Sequence, residues 1–596
     1  MSRPPSRGNT MNFFKSLSRR ENARTVGRRT RSARVGVEAM ESKLLLSTAA
    51  APTYSLHSNG QLYEQTAGRS VLLASNVKAA AVTSTDAVIY LEQNGTLIEQ
   101  PTSGAAQVLD RLVNSFQLGS ANQVKVVDWF DSNLSNAGIC NLARADFTRD
   151  DALTFSDMLG IFDEVLQSGA LTSAELQNLE TLVAHATTLN MPGYVQNLAT
   201  KVVSPSTNDA TYLEQYYGTT GVTLQETVNQ WFLGKVEPNT VDACDGYAAE
   251  DPNNAYTNVG ATGYTLFGPN GPSFTDVAQG SAGDCWLLAS LAETAARDPR
   301  IIQNMFINNG NGTWTVRFYV NGAPDYVTVN DQLPVDTVAG VYAFDQPQNG
   351  ILWAALAEKA YAQENLSGGV TTGQQGVDSY AALNNGYASW ALAPITGLSS
   401  SLYLVTPGMT SQEIAAALQA GDLVCIGTTG SSVQNSHIVA SHWYAVVGYN
   451  PSSSMPFEVF NPWGINTYSN TNGATWGYFT SNGAFLEQNF YDWGVAGSAA
   501  PGSGPVNAML SPNSPDRGAV ANTSELMAIT VDTNSIPSTH ESLKIVTKSS
   551  TPIATPASRT IPGRRGASLP GGPLFHKSLV ADLGPESHHA KWIPVT

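Results

Sequence analysis

The stretch Gln279-Gly-Ser-Ala-Gly-Asp-Cys-Trp-Leu-Leu-Ala-Ser-Leu291 decides how the chain is interpreted. Its first half is rich in small residues and its second half is apolar, which predicts a loop followed by a helix that begins near Asp284. Cys285 then lies in the first turn of that helix, where the helix dipole favours a thiolate. We therefore expect Cys285 to be a nucleophile, whereas Cys425, inside the apolar run Leu423–Ile426, is typical of a core residue.

A thiolate nucleophile needs a base, and histidine is the usual one. Two histidines, His437 and His442, occur between positions 200 and 500. His442 directly precedes the strand-like run 443–448, which would hold it rigidly, while His437 follows a Ser/Asn-rich stretch and is expected to be an exposed loop residue. Asn461, in Asn-Pro-Trp-Gly, is the candidate for the third group, which orients the imidazole.

Together these segments resemble the protease core of the calpain family of cysteine peptidases. The family's Gln-Gly-x-x-Gly-Asp-Cys-Trp-Leu-Leu-Ala block stands at 279–289, its Gly-His-x-Tyr-x-Val segment at 441–446 and its Asn-Pro-Trp-Gly motif at 461–464. Ser441 replaces the usual glycine before the histidine. Three further matching stretches follow in family order: Val327–Pro334, Leu352–Tyr361 and Ala420–Val424.

The resemblance implies an endopeptidase that cleaves protein or peptide substrates through a thioester acyl-enzyme. Residue by residue, it implies Cys285 as nucleophile, His442 as general acid and base, and Asn461 as the orienting group. Gln279 would join the Cys285 backbone N–H in the oxyanion hole, and Trp463 would shield the contact between His442 and Asn461.

Calcium is also implied by the resemblance. Gly271 through its carbonyl, Asp276 and Glu358 match the first calcium site of the family's protease core, and all three offer the hard oxygen ligands that calcium takes. The family's second site uses acidic residues after Asn-Pro-Trp-Gly, but the interval Gly464–Leu486 contains no Asp or Glu. We therefore expect one calcium ion. The alternative is that Asp276 caps a turn and that Glu358 pairs with a neighbouring cation.

A repeat precedes this core. The segment Leu56–Gln65 returns as Leu91–Gln100, 35 residues later, and each copy places Asn-Gly between alternating apolar residues, which is a strong hairpin signal. Two copies fall short of the three that repeat folds usually need. Residues 52–130 are therefore predicted to form a small module of two β-hairpins.

A helical period follows between residues 140 and 235. Apolar residues spaced by 3.6 and the capping box formed by Thr172 and Glu175 predict a helical hairpin. Its opening, Asp146–Asp157, has oxygen side chains in the order of an EF-hand loop, so calcium binding there is an alternative. Asp151 stands where that loop needs glycine, which favours a capped helix start instead.

Composition excludes several classes of protein. The chain of 596 residues has a net charge of −17, and residues 1–43 alone carry 11 Lys/Arg against 3 Asp/Glu, so the remainder is strongly acidic and unsuited to nucleic acid. Four scattered cysteines without a Cys-x-x-Cys pair support neither a disulfide framework nor a structural zinc. No apolar run reaches the roughly 18 residues of a membrane span.

The expected fold class is α+β. A papain-like two-lobed cysteine-protease core over 244–497 follows the β-hairpin repeat segment at 52–130 and the helical segment at 140–235. Residues 498–596, rich in Pro, Ser, Thr and Gly, are expected to form a disordered tail. Residues 1–51 are basic and contain Glu38–Ser47, which resembles a short segment of large bacterial exported and surface proteins.

An exported or cell-surface monomer is thus favoured over a cytoplasmic protein. Two other functions compete with proteolysis. Acyl transfer of the transglutaminase kind uses the same cysteine and histidine chemistry, but usually takes Asp where this chain has Asn461. A binding protein with a vestigial catalytic domain is the other, and the presence of Cys285, His442, Asn461 and Gln279 together argues against it.

Overall fold

The structure is a computed structural model of the chain, and it describes residues 43–45, 52–66, 68–119, 122–240, 254–259, 263–430, 433–470 and 473–497. Most of the basic segment 1–51, the tail 498–596 and Cys244 lie outside the described residues. The described part is mixed α+β, with a β-rich region first, a helical region next and the segment around Cys285 last. None of its helices is both long and apolar enough to cross a membrane.

The β-rich region is larger than two hairpins. Strands β1–β4 form one antiparallel four-stranded sheet, β5–β8 form a second, and β9 pairs with β10. The ten strands are β1 (Lys43–Leu45), β2 (Thr53–Leu56), β3 (Leu62–Thr66), β4 (Arg69–Ala74), β5 (Val77–Val82), β6 (Val88–Glu92), β7 (Leu97–Gln100), β8 (Gln107–Asp110), β9 (Val113–Leu118) and β10 (Val124–Asp128).

The 35-residue repeat explains this arrangement. The carbonyl of Gly60 accepts a hydrogen bond from the N–H of Val77 at 2.8 Å, and the carbonyl of Gly95 accepts the equivalent bond from Val113 at 2.8 Å. Each Asn-Gly turn therefore fastens its own sheet to the first strand of the next unit. The pair β9–β10 is a third, shortened copy, in which the chain enters a helix at Trp129 where an Asn-Gly turn would otherwise stand.

The helical region contains seven helices, so the predicted hairpin was too small. Its bounds are α1 (Trp129–Asn133), α2 (Ala137–Asp150), α3 (Phe155–Ser168), α4 (Ser173–Ala184), α5 (Gly193–Val203), α6 (Thr207–Tyr217) and α7 (Leu224–Trp231). The capping box of Thr172 and Glu175 is present. Similar boxes begin α3, α6 and α7, and they supply partners to backbone N–H groups that have none within a helix.

The EF-hand alternative for Asp146–Asp157 is wrong. Helix α2 continues to Asp150, so the first five positions of the supposed loop are helical. Arg149 donates hydrogen bonds to Asp146 at 2.8 Å and to Asp157 at 2.7 Å. A guanidinium thus occupies the carboxylates that a calcium ion would need.

In residues 254–497, helices and strands alternate along the chain. Strands β17, β24, β18, β19, β20 and β23 form, in that order, a six-stranded antiparallel sheet, and helix α8 lies against β19. The elements are β11 (Asn254–Asn258), α8 (Cys285–Arg297), α9 (Pro299–Gln303), β12 (Phe306–Asn308), β13 (Thr313–Val320), β14 (Ala323–Asn330), β15 (Gln332–Asp336), β16 (Val341–Tyr342), α10 (Trp353–Leu366), α11 (Ala388–Thr396), β17 (Ser400–Leu404), α12 (Thr410–Ala420), β18 (Leu423–Gly427), β19 (Trp443–Tyr449), β20 (Phe457–Phe460), β21 (Tyr468–Asn470), β22 (Gly473–Thr475), β23 (Tyr478–Ser481), α13 (Gly483–Asn489) and β24 (Asp492–Ala496).

Two apolar cores fix the position of this sheet. The larger joins the helical region to α8 and α10, and includes the fully buried side chains of Trp231, Trp286 and Trp353. The smaller packs α12 and α13 against the sheet, with Tyr444 at its centre. Helix α8 packs against β18 and β19 of the sheet, and Cys425 is buried in the larger core as the sequence predicts.

Candidate active site

Cys285 is the first residue of α8 and is 8 % exposed. The backbone carbonyl of Asp284 accepts the N–H of Leu287 at 2.8 Å, which begins the helix. The position of Asp284 before the helix suggests a capping residue, but its carboxyl group does not cap α8. It accepts a hydrogen bond from Gln279 Nε2 at 3.3 Å instead. The N-terminal position of Cys285 leaves the thiol in the field of the helix dipole.

The loop before Cys285 is packed tightly against its surroundings. The N–H of Ser281 donates to the carbonyl of Ala343 at 2.9 Å, and the N–H of Gly283 donates to Asn384 Oδ1. A Cβ atom on Gly280 would lie 2.2 Å from the carbonyl oxygen of Phe344, so only glycine fits there. This close approach gives a physical reason for the glycine in the motif.

His442 lies directly before β19 and is held from both sides by Thr428. The N–H of His442 donates to Thr428 Oγ1 at 2.9 Å, and its carbonyl accepts the N–H of Thr428 at 2.9 Å. Ser441, the residue before it, has a φ of +50°, a left-handed conformation that glycine adopts at less cost. The serine therefore keeps the backbone path of a glycine.

His442 and Asn461 form a buried pair. His442 Nε2 lies 2.8 Å from Asn461 Oδ1, and Asn461 is fully buried. Because an amide oxygen only accepts, Nε2 carries the hydrogen and Nδ1 keeps a free electron pair. Oδ1 also accepts the N–H of Trp463 at 3.0 Å, and Nδ2 donates to the carbonyl of Trp476 at 3.3 Å. These two contacts fix which end of the amide faces the imidazole.

The surroundings of His442 favour a neutral imidazole. Burial lowers the pKa of His442 to about 4, while its hydrogen bond to Asn461 acts in the opposite direction. The ring of Trp463 lies 5.0 Å from that of His442, and the ring of Tyr444 stands perpendicular to it at 5.1 Å. Burial raises the pKa of Tyr444, and the charge of Cys285 raises it further. A neutral imidazole next to a thiol is able to accept its proton.

Gln279 connects the cysteine loop with the Asn461 turn. Its backbone N–H donates to the carbonyl of Pro462 at 2.8 Å. Its side-chain Nε2 donates to the carbonyl of Ala282 at 2.7 Å as well as to Asp284. The side chain therefore lies beside Cys285 but is engaged with its own loop, and its role in the oxyanion hole stays a prediction.

Sequence analysis missed the loop that follows residue 383. The N–H of Asn385 donates to the carbonyl of Gly283 at 3.1 Å, and Trp443 Nε1 donates to the carbonyl of Gly386 at 3.1 Å. A Cβ on Gly386 would lie 2.3 Å from the ring of Trp286. Asn-Asn-Gly is a turn signal that the sequence shows, but nothing local indicates that this turn meets α8. Thr428 was missed for the same reason.

The candidate calcium ligands lie behind the cysteine loop. Asp276 Oδ2 accepts the N–H of Ser273 at 2.8 Å and Trp353 Nε1 at 2.7 Å, so Asp276 does cap a turn. Gly271 has a φ of +86° and closes its own turn on Gly268 with an N···O distance of 3.0 Å. Gly271 and Asp276 thus each belong to a short turn that precedes the cysteine loop.

Glu358 faces other carboxyl groups rather than a cation. Its Oε2 accepts the N–H of Asp345 at 2.9 Å. Burial raises the pKa of Glu358, and the adjacent Asp284 raises it further. Burial likewise raises the pKa of Asp345 to about 8. Within the described ranges no ion pair involves Glu358, so the expected pairing of this residue with a neighbouring cation is wrong.

These acidic groups do not by themselves define a metal centre. Over the part of the chain that the structure describes, no group of three or more His, Cys, Asp or Glu side chains is arranged to hold a metal ion. The expected site differs from such a group, because it consists of two carboxylates and a backbone carbonyl. A calcium ion at Asp276 and Glu358 stays a prediction.

Comparison with known proteins agrees with the geometry. Residues 260–479 match the calpain family cysteine protease. Calpain-13 of Rattus norvegicus is 31 % identical over 222 residues, which cover 33 % of this chain and 31 % of the relative. The calpain-2 catalytic subunit of Homo sapiens is 31 % identical over 216 residues, covering 33 % of this chain and 28 % of the relative. The chain thus spans less than a third of the length of these relatives. What the match establishes is a calpain-family cysteine protease domain over residues 260–479.

Proposed function

We propose that the chain is a cysteine endopeptidase with a papain-like, two-lobed core. Helix α8 would supply Cys285 from one lobe, and the six-stranded sheet would supply His442 and Asn461 from the other. The observation that carries this proposal is the buried contact of 2.8 Å between His442 Nε2 and Asn461 Oδ1, since it directs the basic Nδ1 of the imidazole away from the amide. A pair of nucleophile and base typically has a third group of this kind, which orients the base.

In the proposed reaction, His442 Nδ1 takes the proton of Cys285, and the thiolate attacks the scissile carbonyl carbon. The tetrahedral intermediate collapses as the C–N bond breaks, and the leaving amine takes the proton from His442. Water then attacks the thioester with His442 as base, and the carboxylic acid product and the free thiol result. Asn461 transfers no proton and keeps the imidazole in one orientation.

The oxyanion needs hydrogen-bond donors in this scheme. The N–H of Cys285 is a first-turn group that the helix does not use in its own hydrogen bonds. Gln279 Nε2 is the second donor that we propose. It would turn from the carbonyl of Ala282 and the carboxyl group of Asp284 toward the oxyanion when substrate binds.

Hydrolysis of fluorescein-labelled casein by the full chain tests the proposed function. The Cys285→Ala variant should lose all hydrolysis above the uncatalysed rate and keep the same thermal unfolding midpoint. His442→Ala should lose activity to about the same level, because members of one catalytic unit fail together. Hydrolysis that persists in Cys285→Ala contradicts the proposal, and an inactive but folded wild-type chain favours a vestigial domain.

We also propose one calcium ion in the protease core, held by Gly271, Asp276 and Glu358. The buried Asp345 Oδ2, next to Glu358, accepts no hydrogen bond, and burial raises the pKa of both carboxyl groups, so a divalent cation would offset the cost of their charge. Calorimetric titration of calcium chloride into the full-length Cys285→Ala protein should show one site that disappears in Glu358→Ala. No heat at about 1 mM calcium contradicts this proposal.

Location and assembly complete the proposal. The basic residues 1–51 and the low content of charged side chains support an exported or cell-surface monomer that acts on protein or peptide substrates. Fractionation of the producing cell and light scattering of the purified chain test both points. A chain found only in the cytoplasm, or a dimer at micromolar concentration, would contradict them.

A further inference from the structure

His437 is not the exposed loop residue that the sequence suggests. Its side chain is half-buried, and its ring stacks on that of Trp476 with a centroid distance of 4.6 Å and an angle of 10° between the planes. Its Nδ1 lies 2.5 Å from the carbonyl oxygen of Ala474. Because a carbonyl only accepts, Nδ1 carries the hydrogen, and the imidazole is committed to this contact rather than to a substrate.

The segment that His437 contacts is the one that holds Asn461. The carbonyl of Trp476 accepts Asn461 Nδ2 at 3.3 Å, and the carbonyl of Gly477 accepts the N–H of Asn461 at 2.8 Å. The N–H of Trp476 in turn donates to the carbonyl of His437 at 3.1 Å. The loop before His442 is therefore joined to residues 474–477, and those residues are joined to the amide that orients His442.

His437 is itself well anchored. Asn489 Oδ1, at the end of α13, accepts the N–H groups of Gln434 at 3.1 Å and Asn435 at 2.8 Å. Asn435 Oδ1 then accepts the N–H of His437 at 2.9 Å. On its far side the ring of Trp476 contacts that of Phe479 at 5.3 Å. The indole thus lies between a fixed imidazole and the apolar core of the sheet.

We propose that His437 is a positioning residue for the catalytic amide: by stacking on Trp476 and bonding Ala474, it holds the carbonyls that keep Asn461 turned toward His442. This inference rests on the proposed function. Asn461 Oδ1 has a second support, the N–H of Trp463, so loss of His437 loosens the amide rather than releasing it. The expected effect is therefore on the chemical step and partial.

The first experiment separates binding from chemistry in the full chain with fluorescein-labelled casein. His437→Ala should lower kcat about tenfold and leave KM within about twofold, since small misplacements of a catalytic group reduce the rate without touching substrate contacts. His437→Phe keeps the stacked ring and should recover most of the lost kcat. A kcat of His437→Ala equal to that of the wild type overturns the inference.

His185 provides a matched control. Its Nδ1 also lies near a backbone carbonyl, that of Thr181 at 2.8 Å, and its ring also contacts a tryptophan, Trp129 at 5.2 Å, but it belongs to the helical region. His185→Ala should leave kcat unchanged. A loss as large as that of His437→Ala would mean that any histidine–tryptophan contact matters for stability alone, and would overturn the inference.

The decisive experiment is a double-mutant cycle with Asn461. If His437 acts through the amide, His437→Ala should cause no further loss of kcat in the Asn461→Ala background. A further tenfold loss there overturns the inference, since it shows a role that does not pass through Asn461. If His437→Ala does not fold, His437→Leu serves in the same cycle. The proposed function fails separately, when Cys285→Ala retains hydrolysis.

Discussion

The helical region and the β repeats both precede the protease domain, but only one of them shares its core. Apolar residues of α1–α7, such as Phe162 and Trp231, belong to the same buried cluster as Trp286 of the Cys285 helix. The repeats instead enclose two small clusters of their own, one around Tyr54 and Leu62. Continuity of the core, rather than order along the chain, therefore distinguishes a region that folds with the protease domain from one that is appended to it.

Charged contacts follow the same division. Lys359, 1 % exposed in α10, pairs with Glu237, which follows the last helix of the helical region. Lys201 of α5 pairs with Asp325 at 2.7 Å and lies 4.5 Å from the ring of Trp231. At the junction with the repeats, Arg111 pairs with Asp151 at 3.0 Å, where the side chains are 24 % and 52 % exposed. The two ion pairs that reach the protease domain are therefore less exposed than the pair of Arg111 and Asp151.

Truncation tests this comparison with the largest expected effect. A chain that begins at residue 254 lacks the helical region and should not fold, because α10 and β14 would expose the apolar surface that α5–α7 cover. A chain that begins at residue 111 lacks the two complete repeats and should keep its hydrolysis of labelled casein. Circular dichroism and labelling of Cys285 with iodoacetamide distinguish the two. A folded, reactive 254–497 fragment would break the comparison.

Removing one partner of a buried ion pair should have the next largest effect. Glu237→Ala leaves the ammonium of Lys359 buried without its carboxylate, and should lower the free energy of unfolding by about 3–5 kcal/mol. Arg111→Ala, the matched change at the junction with the repeats, removes an exposed pair and should cost less than about 1 kcal/mol. Urea unfolding of both variants measures this. Equal losses would show that the two junctions do not differ.

The pH dependence of stability sharpens the comparison further. Burial, opposed by the charge of Lys201 and aided by that of Asp325, raises the pKa of Glu364 to about 8. A raised pKa in the folded state means that the contribution of Glu364 to stability is complete below pH 4.5 and is lost as the pH rises toward 8. Between pH 5 and pH 8 the free energy of unfolding of the wild type should fall by about 2–4 kcal/mol more than that of Glu364→Gln.

Urea midpoints of the wild type and Glu364→Gln at the two pH values check this sign. Glu180→Gln, on the helix α4 that carries no such contact with the protease domain among those described, is the control and should leave the slope unchanged. A slope that Glu364→Gln does not alter would mean that this carboxyl is ionised in the folded chain.

The smallest expected effect lies in the repeats. Gly95 has a φ of +89°, and a Cβ atom there would lie 3.1 Å from the backbone of Leu112. Gly95→Ala should destabilise the repeat module by about 1–2 kcal/mol through backbone strain. The hydrolysis of labelled casein by this variant should equal that of the wild type. Limited trypsin digestion of residues 52–128 reports the first effect and the casein assay the second. A loss of hydrolysis in this variant would show that the repeats do support the enzyme.

Local signals in the sequence predict the local structure around the candidate site well. A helix does begin at Cys285, and a strand does follow His442, because in both places an apolar run determines structure over a few residues. Long-range contacts leave no such local trace. Neither Glu237 with Lys359 nor Thr428 with His442 is visible before the chain is folded, and the third repeat is hidden because Trp129 stands where its turn would be.

His437 shows the same limit at the site itself. Its Ser/Asn-rich surroundings do predict a loop, and the residue does lie in one. What the sequence does not show is that Trp476, 39 positions later, comes to lie on the imidazole. A loop assignment states the backbone conformation of a residue and says nothing about which distant ring it contacts.

Gln279 carries two tasks in two different atoms. Its backbone N–H donates to Pro462 and so joins the cysteine loop to the Asn461 turn, while the proposed stabilisation of the oxyanion belongs to its side-chain amide. Any residue other than proline preserves the first, so the alignment of the cleft is insulated from changes in the side chain. A substitution of the side chain would therefore alter the proposed oxyanion contact and leave the link between the cysteine loop and the Asn461 turn in place.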